Sequence, residues 1–279
     1  MKDFTKTTIK LSNCDIYCEY ILNEKPTILL IHGLVASVYT FNRVMPLLQK
    51  HFSVIAIDLP GFGRSEKSSR FINSYKNFAK LIAQCIDYFS LDEVYLAGHS
   101  MGGQISLYTA KQFPEKVKKL ILLNASGYLK PSNHGIKLLS YVPFFHLFIK
   151  RQVKKQGVRK TLENVLFDPA VITEEMTEEY GRPLEEKGFY KSLLRLVRYR
   201  EGDLQTEQVQ SITTPTLLIY AEEDRVISLK VGKKLAEDLP NAKLITYPKT
   251  GHLITDEVPE KISEQIRRFA LEKYRGSFY

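Results

Sequence analysis

Val94-Tyr95-Leu96-Ala97-Gly98-His99-Ser100-Met101-Gly102 is an apolar run that turns into the pattern G-x-S-x-G just ahead of a helix-like stretch at residues 104–113. The apolar part reads as a buried strand, so Ser100 stands at a sharp strand-to-helix turn. A turn of that kind holds the serine in a strained backbone conformation with its hydroxyl pointing outward. The positions two before and two after lie too close to neighbouring backbone for a Cβ, which accounts for Gly98 and Gly102. An ordinary strand-helix connection can carry the same five residues, so the rest of the chain decides the reading.

Upstream, Thr27-Ile28-Leu29-Leu30-Ile31 is another strand-like run and ends in His32-Gly33-Leu34-Val35. Residues 54–57 form one more, followed by Asp58-Leu59-Pro60-Gly61-Phe62-Gly63-Arg64-Ser65. Downstream, Thr216-Leu217-Leu218-Ile219-Tyr220 leads to Glu222, Glu223 and Asp224, and Leu244-Ile245-Thr246-Tyr247 leads to Thr250-Gly251-His252. In an open parallel sheet the segments just past the carboxyl ends of the strands share one rim, where ligands bind. A serine, a choice of acids and a histidine therefore converge. Strand-like runs alternate with helical patterns over residues 27–124, which predicts strand-helix-strand units and a mostly parallel sheet. Residues 7–21 predict two antiparallel edge strands, and residues 258–274 an amphipathic closing helix.

Together and in this order, these motifs resemble the α/β-hydrolase superfamily, specifically its cap-bearing serine hydrolase branch of carboxylesterase-like enzymes. Carbon-carbon bond hydrolases, epoxide hydrolases, dehalogenases and iminopeptidases belong to the same branch. The resemblance spans about residues 7–275 and rests on His32-Gly33, residues 58–65 and 98–103, Asp224-Arg225-Val226, and Gly251-His252 with Glu257-Val258-Pro259-Glu260. It implies an α/β fold with a mostly parallel eight-stranded sheet flanked by helices and an inserted helical cap. The chain order Ser100, Asp224, His252 is the order of that fold's triad. The resemblance also selects the acid: Asp-Arg-Val after Ala-Glu-Glu matches the family's acid turn, which favours Asp224 over Glu222, Glu223 and Glu257. Some relatives carry the acid one strand earlier, where Asn124-Ala125-Ser126 offers no carboxylate.

From about residue 127 to residue 210 the strand signal vanishes, and Pro131, Pro143, Pro169 and Pro183 break a helical pattern. The expected division is residues 1–126 and 211–279 as hydrolase core and 127–210 as cap insertion, with a substrate pocket between them. Within the insertion, Tyr141-Val142-Pro143-Phe144-Phe145-His146-Leu147-Phe148-Ile149 precedes Lys150, Arg151, Lys154, Lys155, Arg159 and Lys160, with no acid until Glu163. One reading packs the aromatics onto the core and leaves the cations solvated. The other makes the segment an interfacial element that touches anionic membrane. The first is the expectation, and it makes Val35, Tyr141, Phe144, Phe145 and Phe148 candidates for the pocket wall, beside the side chains of Leu34 and Met101.

A chain of 279 residues can bury an ample core. Cys14, Cys18 and Cys85 are an odd number without disulfide or zinc spacing, which predicts free thiols in a reducing compartment. No apolar run reaches the roughly 18 to 20 residues that span a bilayer, and the start of the chain does not read as a secretory signal. A cytoplasmic protein is expected, as monomer or homodimer. The net charge of +9 at pH 7 suits a nucleic-acid partner, but no such motif is present and acids are interleaved with the bases, so none is expected. Neither metal-ligand spacing nor a nucleotide-binding glycine fingerprint occurs, and no metal or cofactor is expected.

A serine hydroxyl is a weak nucleophile at neutral pH, so Ser100 needs a base within reach, and His252 is the candidate. Asp224 would orient the imidazole and stabilise the imidazolium. The oxyanion that forms calls for backbone donors, each worth roughly 3 to 4 kcal/mol. The amide of Met101, next to the nucleophile at a helix start, and that of Leu34 fit that role. His32 and His99 read as structural, residues 58–65 as a scaffolding loop, and His51, His134 and His146 have no partner motif.

Serine at the elbow sets aside epoxide hydrolase and dehalogenase chemistry, whose relatives place an aspartate there. Carbon-carbon bond hydrolases of ring-cleavage products use serine but typically carry a tryptophan shortly after the histidine. Here Leu253-Ile254-Thr255-Asp256 follows, and the chain has no tryptophan. The expected activity is cleavage of a small to medium, largely apolar carboxylic ester or thioester through an acyl-enzyme. A carbon-carbon bond hydrolase is the alternative, and a non-catalytic hydrolase-fold binding or signalling protein, which would lack a triad member, is a third reading.

Overall fold

In the computed structural model, which describes residues 3–271, the strands are β1 (Thr5–Leu11), β2 (Cys14–Ile21), β3 (Thr27–Ile31), β4 (Ser53–Ile57), β5 (Val94–His99), β6 (Val117–Leu123), β7 (Thr216–Ala221) and β8 (Ala242–Tyr247). They form one eight-stranded sheet in the order β1-β2-β4-β3-β5-β6-β7-β8. From β4 onward every pairing is parallel, while β1 and β2 run antiparallel. Only β1 is an edge strand at that end. The reading of residues 7–21 as two edge strands is corrected at β2, which pairs with β4 as well as β1 and buries Cys14, Ile16 and Cys18 on one face.

Helices α1 (Met45–Leu48), α2 (Tyr75–Tyr88) and α3 (Met101–Gln112) precede β6. Between β6 and β7 the described chain is helical: α4 (His134–Leu139), α5 (Phe145–Gln156), α6 (Val158–Val165), α7 (Glu174–Glu185), α8 (Phe189–Tyr199) and α9 (Thr206–Gln210). Helix α10 (Leu229–Asp238) precedes β8, and α11 (Ile254–Glu257) and α12 (Pro259–Leu271) close the described chain. The expected end of the last helix at Tyr274 lies outside the described residues. Among the described residues no helix is long and apolar enough to cross a membrane.

Successive side chains of a strand point to opposite faces. Leu29, Ile31, Leu96, Leu120, Leu122 and Leu218 accordingly join one core with Phe78 and Ile82 of α2, Ile105 of α3 and Leu235 of α10. Ile28, Leu30, Ala97, Ile121, Leu217 and Ile219 join the other with Met45, Leu48, Ile262 and Ile266. With both faces covered, the central strands need apolar residues at every position, which is why they read as unbroken hydrophobic runs. The parallel arrangement sets the ends of β3, β4, β5, β7 and β8 on one rim, with His32, Asp58, Ser100, Asp224 and His252 just beyond them.

Candidate active site

Ser100 follows the last residue of β5 and caps α3, with φ 54° and ψ −119°. A non-glycine residue there is strained, and the surroundings must enforce it. They do so by contact: a Cβ on Gly98 would lie 2.3 Å from Gly102 O, and one on Gly102 would lie 2.1 Å from Ile31 O. The Ser100 amide is tied to Leu123 O at 3.0 Å. Met101 supplies the first amide of α3, where no earlier turn offers an intrahelical acceptor.

Asp224 stands three residues past β7. Its Oδ1 accepts the amides of Val226 at 2.7 Å and Ile227 at 2.8 Å, which leaves Oδ2 aimed at His252 Nδ1, 2.7 Å away. Because a carboxylate accepts, Nδ1 is the donor, and in the neutral ring that leaves Nε2 free to accept. Nε2 faces Ser100 Oγ at 3.1 Å. The neighbouring acids point elsewhere: Glu222 accepts from Thr246 Oγ1 at 2.8 Å, and Glu223 from the Thr250 amide at 3.2 Å. Ser100, Asp224 and His252 are all buried.

The loop that presents His252 is held from several directions. Its carbonyl accepts from Asn124 Nδ2 at 3.0 Å and His99 Nε2 at 2.8 Å. Its amide donates to Val165 O at 2.7 Å, at the end of α6. Glu257 Oε2 accepts the Gly251 amide at 2.7 Å, while its Oε1 accepts the amides of Phe167 at 2.9 Å and Asp168 at 3.1 Å. His252 is therefore anchored both to the sheet's rim and to the helices between β6 and β7. In the sequence, Glu257 reads only as a rival acid and Asn124 only as a missing one.

Two further histidines are buried and neutral. Burial pushes His99 down to about 3 and His32 down to about 4. His32 Nε2 accepts the Leu59 amide at 2.9 Å and its Nδ1 donates to Gly33 O at 2.7 Å, which fixes the loop carrying Leu34. Asp58, pushed up to about 6 by burial, accepts the amides of Val38 and Arg64, each at 2.6 Å. Both residues shape the rim.

A cavity of about 280 Å³ opens over Ser100 and His252, between the sheet's rim and the insertion. Leu34 and Val35 line it, but the side chain of Met101 does not. Nor do Tyr141, Phe144, Phe145 and Phe148, so those pocket candidates are corrected. Tyr141 is 58 %, Phe144 73 % and Phe148 56 % exposed, and Phe145, half-buried, stacks on Phe148 at 5.9 Å. The expectation that this aromatic run packs onto the core fails because Ile149 and Val153 occupy the inward face of α5.

The wall comes instead from Val158, Leu162 and Val165 of α6, Tyr180 and Leu184 of α7, and Phe189 and Leu193 of α8, with Gln156 and Thr161 as polar members. Each helix contributes apolar or aromatic residues four apart, the spacing of one helical face. That periodicity is present in the sequence, but the aromatic run at residues 141–149 is the denser signal. No lysine, arginine, aspartate or glutamate is among the lining residues. Among the described residues no group of three or more histidine, cysteine, aspartate or glutamate side chains is placed to hold a metal ion.

The family model described as the alpha/beta hydrolase fold matches residues 26–165 and 172–259. Uncharacterized hydrolase YugF of Bacillus subtilis (strain 168) is 45 % identical over 256 residues, 91 % of this chain and 94 % of its own. The 2-hydroxy-6-oxo-2,4-heptadienoate hydrolase of a Pseudomonas putida strain is 26 % identical over 240 residues, 82 % of this chain and 83 % of its own. Among solved structures, the 2-hydroxy-6-oxo-6-phenylhexa-2,4-dienoate hydrolase from Rhodococcus sp. strain RHA1 has a TM-score of 0.81 at 17 % identity, covering 97 % of this chain and 99 % of its own. That last likeness shows the fold.

Proposed function

The chain belongs to the alpha/beta hydrolase fold family, and from that premise we propose that it is a serine hydrolase of small to medium, largely apolar carboxylic esters. One observation carries the reading: Ser100 Oγ lies 3.1 Å from His252 Nε2 at the edge of a mostly aliphatic cavity lined by no lysine, arginine, aspartate or glutamate.

In this mechanism Ser100 Oγ attacks the ester carbonyl carbon as His252 Nε2 takes its proton. The amides of Leu34 and Met101 receive the oxyanion, and Asp224 holds Nδ1 and steadies the imidazolium. Collapse breaks the bond to the leaving oxygen, which takes the proton from Nε2 and departs as the alcohol. Water, deprotonated by the same nitrogen, then attacks the acyl-enzyme; the acid leaves and the proton returns to Ser100. The insertion acts as the cap that excludes bulk water from these steps.

Carbon-carbon cleavage is the second reading, supported by the dienoate hydrolase of Pseudomonas putida among the relatives. Dienoates are anions, however, and nothing cationic lines this cavity. Burying an uncompensated carboxylate there is strongly unfavourable. Steady-state kinetics on aryl esters of increasing acyl length, run beside a ring-cleavage dienoate, test the choice. Each methylene should add about 0.8 kcal/mol of binding until the cavity is full, so kcat/KM should peak at short to medium length and then fall. Faster turnover of the dienoate than of every ester would overturn the proposal.

A further inference from the structure

Along α5 the side chains divide into two stripes. Ile149 and Val153 pack inward, and Val153 reaches the cavity with Gln156. Phe148, Arg151 and Lys155 follow one another at helical spacing on the opposite side, Phe144 stands just ahead of the helix, and all four are exposed. The first half of this outer stripe is aromatic and the second half cationic. The apolar half continues through the turn into α4, where Leu138 is 74 % exposed. Lone apolar side chains on a surface are ordinary, but a continuous cluster marks a surface that is covered by something.

The segment's own charge has one sign. Residues 116–162 contain no aspartate or glutamate. Lys150 and Lys154 are drawn to Glu185 on the neighbouring α7, at 3.8 and 2.9 Å, while Arg151 and Lys155 stand away on the outer stripe. A second copy of the chain is a poor partner, because a two-fold contact through this face sets the same cations against each other. Polyanions without an apolar phase leave the aromatic half unused. An anionic bilayer satisfies both halves.

We propose that this face docks on anionic membrane, with Leu138, Phe144 and Phe148 entering the boundary between headgroups and acyl chains and Arg151 and Lys155 meeting lipid phosphates. Amphipathic helices that lie in the plane of the interface bind by this combination of buried apolar area and attraction to anionic lipid. The docking surface stands independently of which bond Ser100 breaks.

The test uses the full chain carrying Ser100→Ala, so that turnover cannot change the lipid. Vesicles of equal parts phosphatidylglycerol and phosphatidylcholine should carry the protein on flotation, and pure phosphatidylcholine vesicles at least about tenfold less. Raising the salt to about 1 M, where the screening length falls to about 3 Å, should weaken the binding. A triple Leu138→Ser, Phe144→Ser, Phe148→Ser variant and a double Arg151→Glu, Lys155→Glu variant should each lose binding at least about tenfold. Both should keep the parent's melting temperature, since the altered side chains are in water. Equal flotation with the two vesicle types, flotation with neither, or variants that float like the parent overturn the proposal. So does a concentration-dependent dimer that Phe144→Ser dissolves, because a second copy would then be what covers the face.

Discussion

Asn124 Nδ2 donates to the carbonyl oxygen of His252 at 3.0 Å while its Oδ1 accepts the Ala221 amide at 2.8 Å. One fully buried side chain thus bolts the loop bearing His252 to the strand that leads to Asp224. Asn124→Ala would leave the Ala221 amide unpaired, at a cost of about 1 to 3 kcal/mol in stability. Because Asn124 is outside the cavity wall, kcat should fall with KM nearly unchanged. A variant with normal kcat and raised KM would show that the bolt does not set the base.

Ser100→Ala should abolish labelling by fluorophosphonates and lower ester turnover by at least about 10³-fold. Peptide mapping of the labelled wild type should find the adduct on Ser100. An adduct elsewhere contradicts the assignment, and a wild type that neither labels nor turns over esters points to a binding protein on a hydrolase scaffold.

Asp224→Asn should damage turnover far more than Glu222→Gln or Glu223→Gln. Loss of the carboxylate removes the tautomer that leaves Nε2 free to accept, a change worth about 10⁴-fold in the best-studied triad. The two glutamates already serve Thr246 and the Thr250 amide, so their variants should retain most activity.

Asp256 gives stability a pH dependence. Burial pushes its carboxyl from 3.8 up to about 7, although Tyr180 donates to it at 2.8 Å. An acid whose pKa is raised on folding favours the folded state below its unfolded value, and the advantage is lost as pH rises through the folded one. Between pH 3.8 and about 7 this group therefore withdraws stability as the solution becomes more alkaline, and Asp58, raised from 3.8 to about 6, acts in the same direction. Asp256→Asn keeps an oxygen for Tyr180 and removes the ionisation. Its melting temperature, followed across that window, should decline less than the wild type's, and parallel curves would contradict the argument.

The elbow, the strand ends and the acid turn were legible because each is local: glycine spacing, an apolar run and the residues just after it. Parallel topology then brings them together without further information from the sequence. The pocket wall was not legible, since it depends on which face of each insertion helix turns inward. Tyr141 and Phe148 looked like lining by composition, yet Ile149 and Val153 hold the inward side of α5. Asn124 and Glu257 escaped notice because their work is done through backbone groups far away in the chain, and no motif records a partner's carbonyl or amide.

The hydrogen bond from the His252 amide to Val165 O, with Glu257 spanning Gly251 and Phe167, makes the insertion's pose and the imidazole's aim a single mechanical variable. Lifting the insertion to admit a bulky molecule would slacken the base at the same moment. The protein would then hold an idle hydroxyl, slow to react with stray electrophiles until those helices settle again. Glu257→Ala should reproduce that idling without an added ligand, as slower fluorophosphonate capture by protein that remains folded. Engineers who loosen this joint to widen the substrate range should expect to forfeit rate before they gain scope.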